Sequence, residues 1–350
     1  MRPLPGGGAP RYTARHVRQK EKERGMRAVF YDRFGPASDV LQIGELPDPE
    51  PEAGEVLVRL KATAANPSDV KLRAGARPGA VMEFPVIVPH SDGAGVIEAV
   101  GAGVDPARIG QRVWVWNGQW RRAFGTAAEL IALPAAQAVP LPEGTGFAEG
   151  ACLGIPAMTA WITLFRDGPV KGQTVLVTGG AGAVGRYACQ MARLGGARVI
   201  ATVSSAEKGR HSTAPDWVNY RKSDVADAVL DLTDGRGVDR IVDVDFGANQ
   251  ETSLRLIREG GVIAAYASAG EMTPSLAFYP LMFRSVTLQM PLAYLIPDAL
   301  RRRGEAQLAE WLAAGVLSHA VVPAGTLADL AAAHDRVATG DKRGTIVAET

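Results

Sequence analysis

A glycine-rich segment, GGAGAVG at 179–185, is the part of the sequence best suited to chemistry. Gly180, Gly182 and Gly185 have the G-x-G-x-x-G spacing. The first glycine permits a tight turn out of a strand, the second lets a pyrophosphate approach the backbone, and the third lets a helix lie close to the sheet. The segment follows the apolar run TVLV and opens a helical pattern over 182–194. It therefore predicts a dinucleotide site at a helix N-terminus, with a purely structural turn as the alternative.

The next apolar run, ARVIATVSS at 197–205, bears on which dinucleotide would bind. In an NAD site an acidic residue at the end of this strand accepts the ribose 2′-hydroxyl. Here Ser204 lies near the strand end and Lys208 follows it. Hydroxyls and a cation suit a 2′-phosphate, which a carboxylate would repel. Glu207 is the counter-argument, although it lies beyond the strand end. The pattern predicts NADP(H), with a solvated turn as the other interpretation of Lys208.

The elements that must position these residues form an alternating series after about residue 150. Buried strands and amphipathic helices follow one another, which predicts a parallel sheet with right-handed crossovers. The further strand runs are 239–244, 261–267 and 285–290, the helical patterns are 298–313 and 327–338, and a last strand runs over 344–349.

The chain before residue 150 has a different pattern of short strands separated by Gly, Pro and Asp clusters. This pattern predicts an antiparallel, barrel-like β domain, and the last strand of the chain is expected to return and pair with it. The fold class is therefore α/β with two domains. The strand candidates are 26–31, 55–64, 94–100, 111–116 and 126–133.

Composition limits the class of partner. The formal net charge of the 350 residues is +1, so neither nucleic acid nor a membrane surface is expected to attract the chain. No apolar run reaches the ~18 residues of a membrane span. The only two cysteines, Cys152 and Cys189, lie far apart in sequence, which favours reduced thiols in the cytoplasm over a secreted disulfide scaffold.

The first 25 residues are basic and glycine-rich, with seven Lys or Arg side chains. They predict a disordered extension, with an arginine-bearing targeting tail as the alternative. Met26 directly precedes the strand-like run RAVFY. We therefore expect the folded protein, and translation itself, to start at Met26.

Five motifs in order give the sequence a resemblance that is far more specific than the glycine loop alone. Over residues 26–350 it resembles the zinc-free, zeta-crystallin-like quinone oxidoreductases of the medium-chain dehydrogenase/reductase superfamily. The resemblance implies a GroES-like catalytic domain at 26–150, completed by 294–350, and a Rossmann NADP-binding domain at 151–293, with the active site in the cleft between them. The motifs are AANPSDVKLRAG (64–75), HSDGAGVIEAVG (90–101), GACLGIPAMTAW (150–161), VLVTGGAGAVG (175–185) and AHDRVATGDKRGTIV (333–347).

By this resemblance no metal is expected. The zinc-dependent relatives have a Cys ligand near the position of Asn66 and a His–Glu pair where this chain has Ser91 and Asp92. Their structural zinc lobe needs four closely spaced cysteines, which two cysteines cannot supply. His90 lies one position away from the family's ligand, so a metal ligand there is the alternative to an ordinary polar residue at a strand start. Without a Lewis acid, reduction of an electron-poor acceptor is favoured over alcohol oxidation.

The resemblance also carries over individual residues. Asn66 and Thr159 are implied as catalytic residues, at the acceptor and against the nicotinamide. Lys71 stands where the family often has a Tyr, so it either contacts the acceptor or faces solvent. Asp69 and Asp92 are interpreted as structural. The residues implied to bind the cofactor are Gly180, Ala181, Gly182, Ala183, Val184, Gly185, Ser204, Lys208, Tyr220, Tyr266, Ala267, Ser268, Ala269, Met290, Pro291 and Leu292.

The function implied is transfer of hydride, or of single electrons, from NADPH to a quinone-like acceptor. Reduction of enones shares every motif, and a nucleotide-binding protein without catalysis is a third interpretation. The family is usually dimeric or tetrameric, and an apolar edge near 285–292 could pair the sheets of two copies.

Overall fold

A computed structural model describes residues 25–76, 79–340 and 342–350. It contains a seven-stranded, mainly antiparallel sheet, a six-stranded parallel sheet and a small sheet of two strands. This confirms the predicted α/β class with a barrel-like unit and a doubly wound unit. The extension predicted for 1–25 lies outside the described residues except for Gly25, which begins the first strand.

The strands of the described residues, in chain order, are β1 (Gly25–Phe30), β2 (Gln42–Pro47), β3 (Glu55–Ala65), β4 (Asp92–Val100), β5 (Arg112–Val115), β6 (Leu130–Pro134), β7 (Ala138–Pro140), β8 (Thr174–Val177), β9 (Arg198–Val203), β10 (Asp216–Asn219), β11 (Val238–Asp243), β12 (Ile257–Ala265), β13 (Thr287–Gln289), β14 (Val321–Thr326) and β15 (Thr345–Glu349).

The α-helices are α1 (Ala37–Val40), α2 (Pro67–Arg73), α3 (Phe147–Gly150), α4 (Met158–Phe165), α5 (Ala183–Leu194), α6 (Ala206–Ser212), α7 (Val225–Leu232), α8 (Phe246–Leu256), α9 (Phe278–Phe283), α10 (Asp298–Ala313) and α11 (Leu330–Ala338). A π-helical turn, Leu153–Ala157, leads into α4, and a 3₁₀ turn, Ala293–Leu295, follows β13.

The parallel sheet has the strand order β10-β9-β8-β11-β12-β13. This is the 3-2-1-4-5-6 order of a dinucleotide-binding fold, in which the ligand crosses the carboxyl ends of the central strands. Leu176 pairs with Ile200 on one side and Ile241 on the other, and all three are buried. Strands that are covered on both faces consist of continuous apolar runs, so they could be predicted from the sequence.

The second sheet has the order β14-β15-β3-β4-β5-β7, and β6 pairs with β3. β15 runs antiparallel to β3, with Ile346 opposite Ala65. The end of the chain therefore returns to the first half, as predicted. A large apolar core joins the two units: it includes Trp114 on β5, Met158 on α4 and Met191 on α5.

Polar contacts also connect helix α5 of the parallel unit to the segment before β14. Arg186 donates to the Ser318 carbonyl (2.6 Å) and to its hydroxyl (2.8 Å). The Tyr187 hydroxyl lies 2.6 Å from Nδ1 of His319. These contacts hold the first half of α5 directly against the segment before β14.

The element bounds differ from the predictions in a few places. Strand 126–133 is observed as Leu130–Pro134, since Thr126 and Ala127 lie in an irregular approach to it. Helix 327–338 begins with a 3₁₀ turn, Leu327–Asp329, before α11. The predicted boundaries between domains stay predictions. No helix in the described part of the chain combines the length and apolar character needed to cross a membrane.

Candidate active site and cofactor groove

The glycine loop lies between β8 and α5, where the sequence predicted it. A Cβ atom at position 180 would lie 2.6 Å from Ala201 Cβ, and one at position 185 would lie 2.3 Å from the carbonyl oxygen of Gly179. These two glycines are therefore required by packing. Gly182 is different, because a Cβ there would meet only the Gly179 oxygen, at 3.3 Å.

Gly182 is also the N-cap of α5, in an extended conformation with φ −77° and ψ 171°. The first-turn N–H groups of a helix have no partners within the helix, and they carry the positive end of its dipole. The open space beside Gly182 thus borders a set of N–H donors at Ala183, Val184 and Gly185. This is the arrangement that a pyrophosphate requires.

The side chains predicted at the adenosine end lie at the carboxyl ends of β9 and β10. Ser204 is buried directly after β9, and the Lys208 side chain is half-buried on α6. The Tyr220 N–H donates to the carbonyl oxygen of Val203 (3.1 Å), so the turn after β10 lies beside the end of β9. The Tyr220 ring is half exposed. The structure therefore brings Ser204, Lys208 and Tyr220 to one edge of the sheet.

Glu207, the counter-argument to a 2′-phosphate, is engaged by another residue. Both guanidinium amines of Arg343 contact its carboxylate, one of them Nη2 to Oε2 at 3.1 Å. This hydrogen bond lowers the pKa of Glu207, so the carboxylate stays ionised and paired. Arg343 lies just before β15, so the ion pair connects the C-terminal segment to α6.

The residues predicted at the nicotinamide half follow β12 and β13. The Tyr266 N–H donates to the Asp243 carbonyl (3.0 Å), and the Ala267 carbonyl accepts from the Phe246 N–H (3.0 Å). Ser268 and Ala269 continue this segment. After β13, Met290 and Leu292 are exposed while Pro291 is buried.

Asn66 is buried at the junction of β3 and α2. Its side-chain amide donates to Asp92 Oδ2 (2.9 Å), and its backbone N–H donates to Asp69 Oδ2 (2.7 Å). Asp92 Oδ2 also accepts from the Ile155 N–H (2.9 Å), in the π-helical turn before α4. Asp69 and Asp92 therefore position the Asn66 loop, in agreement with the structural role predicted for them.

Asp92 is completely buried, and burial raises its pKa well above the usual range of an aspartate. The N–H of Ile155 and the amide of Asn66 lower the pKa in part. Thr159, one turn further along the chain, is 5% exposed on α4. Lys71 is exposed at the last turn of α2, so of its two predicted orientations the structure has the one toward solvent.

The sequence of the chain also matches known families. Residues 52–143 match a family model described as an alcohol dehydrogenase GroES-like domain, and residues 183–311 match one described as a zinc-binding dehydrogenase. The quinone oxidoreductase of Rattus norvegicus is 32% identical over 254 residues, which cover 71% of this chain and 74% of that protein. The chain belongs to the quinone oxidoreductases of the medium-chain dehydrogenase/reductase superfamily.

Solved structures of similar proteins agree with this assignment. A mycobacterial protein in complex with NADPH superposes with a TM-score of 0.82 and 29% identity, covering 93% of this chain and all of that one. A structure described as an NAD-dependent alcohol dehydrogenase has the same TM-score, identity and coverage. The chain is thus an oxidoreductase, and its fold occurs both in a protein solved with NADPH and in one described as NAD-dependent.

The donors at the positions of the zinc ligands do not fit a zinc ion. Asn66 presents an amide that donates to Asp92, and Ser91 presents a hydroxyl that hydrogen-bonds Tyr294. Zinc sites are built from Cys, His and carboxylate groups. Across 25–76, 79–340 and 342–350, no three His, Cys, Asp or Glu side chains form such a group. The zinc named in the family model is therefore not transferred to this oxidoreductase.

His90, considered above as a metal ligand, uses both ring nitrogens inside the protein. Its Nδ1 lies 2.8 Å from the Thr63 hydroxyl, and its Nε2 lies 2.8 Å from Nε2 of His334 on α11. Both rings are fully buried. Sequence reasoning missed this pair, because the two histidines are 244 positions apart and no local pattern connects them.

Sequence reasoning also missed Tyr294, in the 3₁₀ turn after β13. Its hydroxyl donates to Ser68 Oγ (2.9 Å), two residues after Asn66, and also hydrogen-bonds Ser91. Its ring stacks on Trp120, with centroids 4.5 Å apart and 15° between the planes. The only sequence signal was its position shortly after a strand predicted to end at the nicotinamide.

Proposed function

We propose that this oxidoreductase uses NADPH to reduce quinones or similarly electron-poor carbonyl acceptors without zinc. The observation that carries the cofactor choice is the end of β9, where Lys208 lies near Ser204 and the acid between them in sequence, Glu207, is paired with Arg343. A ribose 2′-hydroxyl finds no free carboxylate there, while a 2′-phosphate finds a cation and hydroxyl donors. The NADPH complex of the mycobacterial protein supports this choice.

The residues of the chain have distinct parts in this proposal. Gly182 and the first-turn N–H groups of α5 hold the pyrophosphate, and Ser204, Lys208 and Tyr220 hold the adenosine phosphate. The segments 266–269 and 290–292 flank the nicotinamide half. When bound, NADPH supplies the hydride, and the protein contributes orientation and a cleft from which water is excluded.

Asn66 and Thr159 are the residues that we propose to face the nicotinamide and the acceptor. One N–H of the Asn66 amide donates to Asp92 Oδ2, which fixes the orientation of the side chain. No charged acid–base pair is required. A quinone takes up a hydride and then a proton from water, which gives the hydroquinone and NADP⁺.

Steady-state oxidation of NADPH, followed at 340 nm with a panel of quinones and enones, tests the function. We expect turnover with naphthoquinones and benzoquinones, and a preference for NADPH over NADH. Faster turnover of acyclic enones than of any quinone would instead assign an enone reductase. Tight NADPH binding without turnover on any acceptor would assign a non-catalytic nucleotide-binding protein.

We also propose that the protein is a cytoplasmic homodimer or homotetramer. The two cysteines are free and buried, as in proteins of a reducing compartment. The outer edge of β13 has no partner strand among the described residues, and apolar side chains are exposed beside it. An edge of this kind is suited to pairing with a second copy.

A further inference from the structure

Tyr294 contacts three segments of the chain that are distant from one another in sequence. Its hydroxyl contacts Ser68 of the Asn66 loop and Ser91 at the start of β4, and the carbonyl oxygen of its backbone accepts from the Asn117 side chain (3.3 Å). The 3₁₀ turn that carries it packs against α4, the helix of Thr159. The Tyr294 side chain therefore lies among the residues proposed to face the acceptor.

The ring of Tyr294 forms a flat surface with Trp120. Both side chains are partly exposed, and the stacking of the rings holds each in one orientation. Stacked aromatic pairs are stabilised beyond the area that they bury. Arg121, whose guanidinium lies 5.3 Å from the Trp120 ring, adds a cation at the rim. The result is an aromatic platform of Tyr294 and Trp120, and its tyrosine hydroxyl contacts Ser68 of the Asn66 loop.

The hydroxyl groups around Tyr294 leave one hydrogen-bond donor available. A serine hydroxyl both donates and accepts, and so does a tyrosine hydroxyl. In the structure the Tyr294 hydroxyl donates to Ser68 Oγ. Rotation of the two hydroxyl hydrogens reverses this bond, so that Ser68 donates to Tyr294 Oη and the tyrosine proton becomes free for a ligand. Burial, followed by the nearby Asp69 carboxylate, raises the pKa of Tyr294, so the hydroxyl keeps its proton at all physiological pH values.

We propose that Tyr294 is the acceptor-recognition residue of this protein, with its hydroxyl donating to an acceptor carbonyl oxygen and its ring, together with Trp120, selecting planar acceptors. This inference rests on the proposed function. In this proposal the tyrosine hydroxyl, which lies next to Ser68 and Ser91, polarises the acceptor oxygen. Hydride addition to the quinone ring leaves negative charge on that oxygen, and a fixed donor stabilises it until water supplies the proton.

Two substitutions separate the role of the Tyr294 hydroxyl from the role of the Trp120 ring. Tyr294→Phe keeps the stack and removes the hydroxyl, so we expect kcat to fall about tenfold or more with both 1,4-naphthoquinone and the acyclic enone 3-penten-2-one. Trp120→Leu removes the platform, so KM should rise severalfold for naphthoquinone and stay nearly unchanged for the enone. The dissociation constant of NADPH, measured by its fluorescence, should be the same in both variants and wild type.

Matched controls are Tyr279→Phe, at an exposed tyrosine on α9, and Trp311→Leu on α10. A purely structural Tyr294 would give the opposite pattern: Tyr294→Phe would lower the melting temperature and leave kcat at the wild-type value, which would overturn the proposal. So would an equal effect of Trp120→Leu on both acceptors.

Failure of the proposed function would be recognisable separately. If wild type turns over no acceptor, the affinity of the protein for 1,4-naphthoquinone, measured by calorimetry, still tests whether the platform binds the quinone. Binding that weakens severalfold in Trp120→Leu and is unchanged in Trp311→Leu would support acceptor recognition at Tyr294 and Trp120. Absent binding, or equal binding in all three proteins, would overturn it.

Discussion

At the scale of single residues, the cofactor choice that we propose depends on two neighbours with opposite charges. Lys208 is half-buried with no carboxylate bonded to it among the described ion pairs, whereas Glu207 is bound by Arg343. The charge that a 2′-phosphate meets is therefore set by Lys208.

Replacement of Lys208 by Ala should weaken NADPH about tenfold or more and leave NADH nearly unchanged, because only NADPH carries the 2′-phosphate that the ammonium group would contact. The measurement is the dissociation constant of each cofactor from fluorescence titration. Lys171→Ala, at an exposed lysine before β8, is the matched control. A similar loss for NADH and NADPH would contradict the assignment of this edge to the 2′-phosphate.

Part of the candidate site could be predicted from residue types alone. The glycines were predicted from spacing, because a turn, a close backbone approach and a helix start all act within seven positions. Tyr294 and Ser68 were not connected, since they are 226 positions apart and neither belongs to a local pattern. Contacts of this kind arise only when the two units are folded against each other.

At the scale of elements, the sequence predicted the strands that are buried on both faces or alternate cleanly. Among the described residues it missed four strands, β2 (QIGELP), β7 (AVP), β10 (DWVN) and β14 (VVPAGT). Of these, β2 and β14 contain both Gly and Pro. These residues weaken a strand pattern and are tolerated at sheet edges. β14 is such an edge strand, and β2 lies in a sheet of two strands, so pairing with β15 and β1 fixes each against its local preference.

The His90–His334 pair, which fastens α11 to the barrel, predicts acid sensitivity. Burial lowers the pKa of both side chains, that of His334 to about 3, with Arg73 adding to the effect. Since the unfolded chain binds protons below pH 6.5 and the folded pair does not, the free energy of unfolding falls as pH drops. For His334 the loss is about 2 kcal/mol between pH 7.5 and pH 5, and His90 changes the stability in the same direction.

Asp92 and Glu305 have raised pKa values and change stability in the opposite direction over this range, so the comparison needs a variant. Urea unfolding of wild type and His334→Gln at pH 7.5 and pH 5 isolates the histidine contribution. We expect the stability of wild type relative to the variant to decrease by at least about 2 kcal/mol at pH 5. An unchanged difference would show that the pair is protonated in the folded protein.

At the scale of the whole molecule, the apolar surface beside β13 bears on assembly. Phe283 and Met290 are 77% and 72% exposed, and Tyr279 and Phe278 lie next to them on α9. A large exposed apolar patch on a soluble chain marks an interface. Because the free edge of β13 lies in the same region, the sheets of two copies can join there and bury it.

The double substitution Phe283→Glu and Met290→Glu should therefore convert the protein to monomers, since it would bury charges in the proposed interface. Sedimentation velocity gives the result directly as a halved mass for a dimer. Val316→Glu, at an exposed valine after α10, is the control and should leave the mass unchanged. Assembly that survives the double substitution would place the interface elsewhere.

The contacts of α5 with Ser318 and His319 have a kinetic consequence. The helix that we propose to hold the pyrophosphate at its N-terminus is fastened, through Arg186 and Tyr187, to the segment before β14. A shift of this helix upon phosphate binding would therefore displace the segment before β14 as well. We therefore expect a compulsory order of addition, in which the reductant arrives first and creates the affinity for the second substrate, and in which the oxidised nucleotide leaves last.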